Sequence, residues 1–344
     1  MKHPFKLFMI LICISLILSS CSHKTAVTDS DNSANPPTQS KTEGSEASTE
    51  SDNNKAYLDD TRPIAVMIDN DNDDARPQAG LDEAYLVYEM VVEGGATRYM
   101  ALFNNSEIDK IGPVRSSRHY FLDYLMENDA IYVHYGWSPR AQADISSFKI
   151  NKINGVNAGD DTIFWRDRTY TKSWHSAYTS TKNILEKVAE KGYSNTTEHK
   201  SSISYADEEI FLKSGKDALN ISLPYSDMYR TGYVYNEKSS MYEKTVNGKE
   251  YKMQNGNCVS VKNIIIQLAA DVPLGDGSDR RDIKTTGSGK GYYITNGKCE
   301  EITWEKASRK DNTVYTLADG SPLVINPGKT FINIISPSAN IVIE

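Results

Sequence analysis

The chain has 344 residues, with 38 basic and 46 acidic side chains and a formal net charge of −8. Its cations are scattered singly, so there is no basic stripe to grip a nucleic acid, and that class of partner is excluded. Beyond the first 57 residues about 285 remain, a length that suits two domains better than one.

Lys2 and Lys6 precede the apolar run "LFMILICISLIL", Leu7 to Leu18, and "LSSC" follows, ending at Cys21. About twelve apolar residues are too few for the roughly 20 that span a bilayer as a helix. Residues 1–20 therefore read as an export signal. Ser19 and Ser20 directly before Cys21 resemble a bacterial lipobox, which makes Cys21 the acylated, palmitate-bearing first residue of a membrane-anchored, extracytoplasmic lipoprotein. Residues 21–57 follow as a polar tether. From Ser22 to Lys55 this tether has no Leu, Ile, Phe, Met, Trp or Tyr, and such a segment cannot offset the entropy of ordering. Its average reach is about 30–35 Å.

Residues 58–200 alternate strand-like and helix-like stretches. "RPIAVMIDN" reads as a strand, "EAYLVYEMVVEGG" as a helix-to-strand passage, and "TRYMALFNN" as a further strand. In "KIGPVRSSRHYFLDYL", Ser116 caps an expected helix running to about Glu127. Arg118, Phe121, Leu122 and Leu125 then share one face at i, i+3, i+4 and i+7. "AIYVHYG" is a strand that ends at Gly136. Ser138 with Pro139 opens a second helix, and "STKNILEKVAEKG" is a third, capped by Ser180 or Thr181 and ended by Gly192. This rhythm predicts a layered α/β domain.

Residues 205–344 are turn-rich. Asn-Gly or Asp-Gly pairs in "VNGKEY", "QNGNC", "TNGKCE" and "ADGSP" are hairpin signals. "VKNIIIQLA" has the apolar continuity of a central strand, and "PLVINPGKTFINIISP" reads as a terminal strand pair. The fold class is thus α+β, an α/β half followed by a mostly antiparallel β half. Cys258 and Cys299 sit where an exported context permits a disulfide.

Few motifs carry chemistry. In "IDNDNDDARPQAG" the spacing of Asp69, Asp71 and Asp73 suits a calcium loop, but Asp74 and Gly80 stand where such a loop needs Gly and Glu, which leaves a solvated acidic turn. "TTGSGKGYY" lacks the first glycine of a phosphate loop and the Ser or Thr after its lysine. No residue pattern calls for a metal or a cofactor. The expected constellation is Arg/His-rich: Arg98, Arg115, Ser116, Arg118, His134, Arg166 and His175, with Asp69 and Glu93 alongside. His134 ends a strand where α/β sheets tend to open a crevice. His175 lies in an aromatic loop with Arg166 and Arg168. Arg115 and Arg118 at a helix start would make a concentrated positive site. Asp69, Glu89 and Glu93 are available as internal counter-ions.

"RPIAVMIDN", "ARPQAGLDEAYLVYEMVVEGGATRYMALF", "KIGPVRSSRHYF", "AIYVHYGWSP", "GSGKGYYITNGKCEEITWEK" and "YTLADGSPLVINPGKTFINIISP" together resemble the YerB-like family of bacterial lipoproteins. The likeness covers nearly everything after the tether. It implies a tethered envelope protein with two domains of unknown function. The matching polar positions are Asp69, Asn70, Arg76, Gln78, Glu89, Glu93, Thr97, Arg98, Arg115, Ser116, Arg118, His134, Arg166 and His175. The chain departs from the family's Ala-Pro-His-Asn at Ser173-Trp174-His175-Ser176. Three functions stay open: binding an anionic envelope ligand such as a cell-wall polymer, hydrolase or transferase action on an envelope glycan or phospho-polymer, and service as a scaffold for an envelope protein assembly. The enzymatic reading lacks a nucleophile or metal, but would use a histidine base and arginine charge stabilisation.

Overall fold

The computed structural model describes residues 60–344 apart from 105, 172 and 173. The expected signal, Cys21 and the tether lie outside the described residues.

The N-terminal half supplies β1 (Ile64–Asn70), β2 (Leu86–Val91), β3 (Thr97–Phe103), helix α1 (Phe121–Met126), β4 (Ile131–His134), helix α2 (Pro139–Ser147), β5 (Lys152–Asn154) and helix α3 (Thr181–Glu190). The C-terminal half supplies β6 (Asn220–Pro224), β7 (Arg230–Asn236), β8 (Met241–Val246), β9 (Asn263–Leu268), β10 (Gly287–Thr295), β11 (Lys298–Lys306), β12 (Val314–Leu317), β13 (Thr330–Ile335) and β14 (Val342–Ile343). Strands dominate throughout.

Strands from both halves form one large sheet in the order β12-β11-β10-β9-β13-β2-β3-β1-β4-β5. The seam between the halves is β13, which runs parallel to β9 on one side and to β2 on the other. Every residue of β1, β2, β3 and β13 is buried. That is why these strands are mostly apolar on both faces, with Asp69, Glu89, Arg98 and Asn333 among the buried polar exceptions. Ile64, Val66 and Ile68 of β1 join one core, which also holds Ile184 and Val188 of α3 and Leu223, Tyr233 and Tyr242 of the second sheet. Ala65 and Met67 join the opposite core with Phe121, Leu122 and Leu125 of α1 and Ile145 of α2. The second sheet, built on β8-β7-β6-β14, therefore covers one face of the large sheet and the short helices cover part of the other.

The local signals explain the turns. Ser138 accepts from the Ala141 amide with Pro139 at the first helical position, and Ser180 accepts from the Asn183 amide. Asn247-Gly248 and Asn296-Gly297 have positive φ at both residues and link their strands as two-residue hairpins.

Two expectations are corrected, and a pairing that stood open is answered. Helix α1 starts at Phe121 rather than Ser116. The backbone of residues 114–117 is already committed to strand neighbours, with the Arg115 amide donating to the Met67 carbonyl and the Ser117 amide to the Gly136 carbonyl. Arg118 thus lies on the approach to the helix and not on its apolar stripe. Second, "PLVINPGKTFINIISP" does not pair with itself: Val324–Ile325 pairs with Ser204–Tyr205, while β13 enters the large sheet. The disulfide left open between Cys258 and Cys299 is not formed, and both are free thiols. Cys258 lies 3.0 Å from a Glu250 carboxylate oxygen, and Cys299 is buried near the start of β11.

Candidate functional site

Strands β1 and β4 pair in parallel only over Ile64–Val66 and Ile131–Val133. Beyond that point they part, and the segment "GPVRSS" fills the gap. The Asp69 amide donates to the Pro113 carbonyl, the Arg115 amide to Met67 and the Tyr135 amide to Arg115. The carboxyl ends of parallel strands are where open sheets place their sites; here the inserted segment occupies that position. Ser116 donates from its hydroxyl to the Tyr135 carbonyl, 3.0 Å away. Gly136, at φ +86°, passes so near that a Cβ would lie 3.0 Å from the Ser116 hydroxyl, so a larger residue could not make this turn.

The arginines meet Asp69 and Glu93 here. Asp69, fully buried at the end of β1, accepts from His175 Nδ1 at 2.7 Å on Oδ2. Arg115 Nε lies 3.0 Å from the same oxygen, close enough for an ion pair but without hydrogen-bond alignment. The Asp71 amide donates to Oδ1. Burial pushes the Asp69 carboxyl upward, but the His175 bond and the charges of Arg98 and Arg115 outweigh it and hold the carboxyl below its ordinary value. Arg118 grips Glu93 with two parallel bonds of 2.6 and 2.8 Å and gives its remaining terminal nitrogen to the Ser117 carbonyl. Against the burial of Glu93, that clamp holds its carboxyl below the ordinary value too, so it stays ionised.

Arg98, at the start of β3, is the surplus cation. It donates from Nη1 to the Ser116 carbonyl at 2.6 Å, and its buried Nε has no hydrogen-bond partner. Burial and the neighbouring charge of Arg118 draw its proton affinity down to about 10, against the opposing pull of Asp69. Three guanidiniums thus surround two carboxylates. Of the three, Arg118 is saturated and Arg98 is sealed. Arg115 alone is a quarter exposed with terminal nitrogens that have no protein partner among the described residues.

Of the remaining sequence candidates, Arg166 stands at the outer edge, donating to the Trp174 carbonyl with its guanidinium 4.7 Å above the Tyr135 ring. His134 is apart from the arginines. Its Nδ1–H donates to the Gly136 carbonyl at 2.7 Å, its ring packs on Tyr132 and Trp137, and its buried Nε2 has no partner. Burial lowers its ionisation to about 4. Glu89, a candidate counter-ion for the arginines, instead points to the second sheet and pairs with Lys244 Nζ at 2.9 Å, both fully buried. Among the described residues no three His, Cys, Asp or Glu side chains gather to hold a metal.

A protein of Bacillus subtilis strain 168 named "Putative lipoprotein YerB" is 31% identical over 327 residues, covering 94% of this chain and 92% of that one. The chain belongs to the YerB family. Residues 48–194 match the family described as "Protein of unknown function (DUF3048) N-terminal domain", and residues 221–332 match its C-terminal domain. A crystal structure of YerB protein from Bacillus subtilis is similar to this fold with a TM-score of 0.71 at 31% identity, covering 82% of this chain and 94% of that one. The two family domains share the large sheet, meeting at β2 and β13.

Trp174 is a site residue that the sequence reading passed over. Its indole N–H donates to His175 Nε2 at 2.7 Å while the ring is 65% exposed. The signal was present: a Trp directly before a His, at the place where this chain departs from the YerB pattern.

Proposed function

We propose that this YerB-family member is an extracytoplasmic lipoprotein, exported behind residues 1–20, acylated at Cys21 and tethered by residues 21–57. We assign to its α/β-layered 58–200 half the capture of an anionic envelope ligand, with the 205–344 half as its β-rich support. The order of charged, apolar and Ser-Ser-Cys segments supports the anchor, as does the name of the Bacillus relative. The capture is carried by one observation: the unspent terminal nitrogens of Arg115, facing outward from a cluster with one guanidinium more than its carboxylates can neutralise. A planar guanidinium with two unoccupied nitrogens is suited to a carboxylate or phosphate. A lipid-anchored site would meet such groups on envelope polymers.

The test is titration of the soluble form, lacking residues 1–57, with inorganic phosphate and with acetate by NMR. Arg115→Gln should lose a saturable response that the parent shows, while its melting temperature stays within a few degrees. A parent that gives no saturable response to either anion rules the reading out. The scaffold reading keeps one observation in its favour: Arg118 and Glu93 already satisfy each other and need no ligand.

A further inference from the structure

We infer that the ligand of this site is a sugar bearing a phosphate or carboxylate, read by a displaceable Trp174–His175–Asp69 relay. This rests on the anion-binding reading above and narrows its ligand class.

The chemistry follows from hydrogen-bond roles. Asp69 can only accept, so His175 Nδ1 carries the proton it donates. The indole Nε1–H of Trp174 can only donate, so His175 Nε2 presents a lone pair. Buried Asp69 fixes this neutral tautomer, as a carboxylate behind a histidine does at many sites. His175 itself is 4% exposed, and its outward acceptor meets the indole of a side chain that is two-thirds in water. Arg115 leans on the same Asp69 oxygen, so its guanidinium and the His175 ring share one carboxylate.

An anion alone leaves this arrangement unused. A phosphate monoester dianion or a carboxylate has no proton to offer Nε2, and no bare anion, inorganic phosphate included, has an apolar face for an indole. A sugar acid has both: a hydroxyl that can donate to Nε2 in place of the indole, and a ring face of C–H groups for the freed indole to cover. Large exposed aromatic rings are unusual, because Trp is highly buried on average, and such rings serve binding by burying much area at small entropic cost. Tyr170, half exposed in the same loop, and Arg166 over Tyr135 extend the aromatic rim. The exchange replaces one hydrogen bond to Nε2 with another and adds ring contact, so the gain over a bare anion is about tenfold.

The experiment compares dissociation constants of glucose 6-phosphate and inorganic phosphate, and of glucuronate and acetate, for the soluble parent and for Trp174→Ala. Binding is followed by NMR, with the ring nitrogens of His175 observed directly. At least one sugar acid should bind about tenfold tighter than its bare anion while moving the His175 Nε2 signal, and Trp174→Ala should erase that preference while bare-anion binding persists. Equal affinity for sugar acid and bare anion overturns the relay and leaves anion capture standing. A sugar preference that survives Trp174→Ala overturns it as well. Absence of binding by every probe sinks both readings. A melting curve of Trp174→Ala matching the parent's secures the comparison, and Trp174→Phe, which keeps a ring but loses the N–H, should retain most of the preference.

Discussion

His134 gives the sharpest quantitative test of the fold around the crevice. Its ring is sealed between Tyr132 and Trp137, with Lys152 and Asp160 as the charges that act on it. Burial dominates and lowers its ionisation from 6.5 to about 4. The unfolded chain therefore binds this proton between pH 6.5 and 4 while the folded protein does not. Stability contributed by the neutral ring is intact above pH 6.5 and is lost as the pH falls towards 4. At about 1.4 kcal/mol for each tenfold change in proton affinity, the loss is about 2 kcal/mol by pH 5 and about 3 kcal/mol by pH 4. His134→Gln removes the ionisation and keeps a donor near the Gly136 carbonyl. Urea unfolding of both proteins at pH 7, 6 and 5 isolates the effect, since every other titrating group cancels in the difference. The variant will be the less stable protein at pH 7, and the gap should close by about 2 kcal/mol at pH 5. Parallel stability curves for the two proteins would refute the argument.

Other consequences are simpler to read. Lys244→Met strands the buried Glu89 carboxylate and should cost about 3–5 kcal/mol in urea unfolding; adding Glu89→Gln should recover part of that loss. Arg118→Gln releases the Glu93 clamp and should cost about 1–3 kcal/mol, checked by thermal melting. Ser180→Ala removes the cap of α3 and should cost about 1 kcal/mol. Cys258, whose thiol Glu250 holds above its ordinary ionisation, should alkylate slowly at pH 8; Cys299, pushed up to about 12 by burial, should react only on unfolding. Mobility of the soluble form on gels should be unchanged by reductant.

The elements legible in the sequence are those set by local chemistry. Ser138-Pro139, Ser180 and the Asn-Gly pairs each satisfy backbone groups within a few residues, so their signals survive any tertiary context. The apolar run of β9 announced a central strand for the same reason: both of its faces are covered. The start of α1 was illegible, because Ser116 and Arg118 look like a cap and a first turn until β1 and β4 part and take up that backbone. The partners of the acids were half legible. Asp69 and Glu93 do meet arginines, but Glu89 depends on β8, where Lys244 shares an inward face with Tyr242 and Val246. A lysine at an alternating apolar position is a sign of a buried counter-charge, and Lys306 after Ile302 and Trp304 carries the same sign for Glu127.

Because β13 is hydrogen-bonded to β2 on one flank and β9 on the other, the great sheet stays in two blocks until residues 330–335 are present. A chain released before residue 330 would show two raw strand edges that invite pairing with other molecules. That strand thus acts as a keystone, and the same backbone bonds that protect both edges unite the two halves.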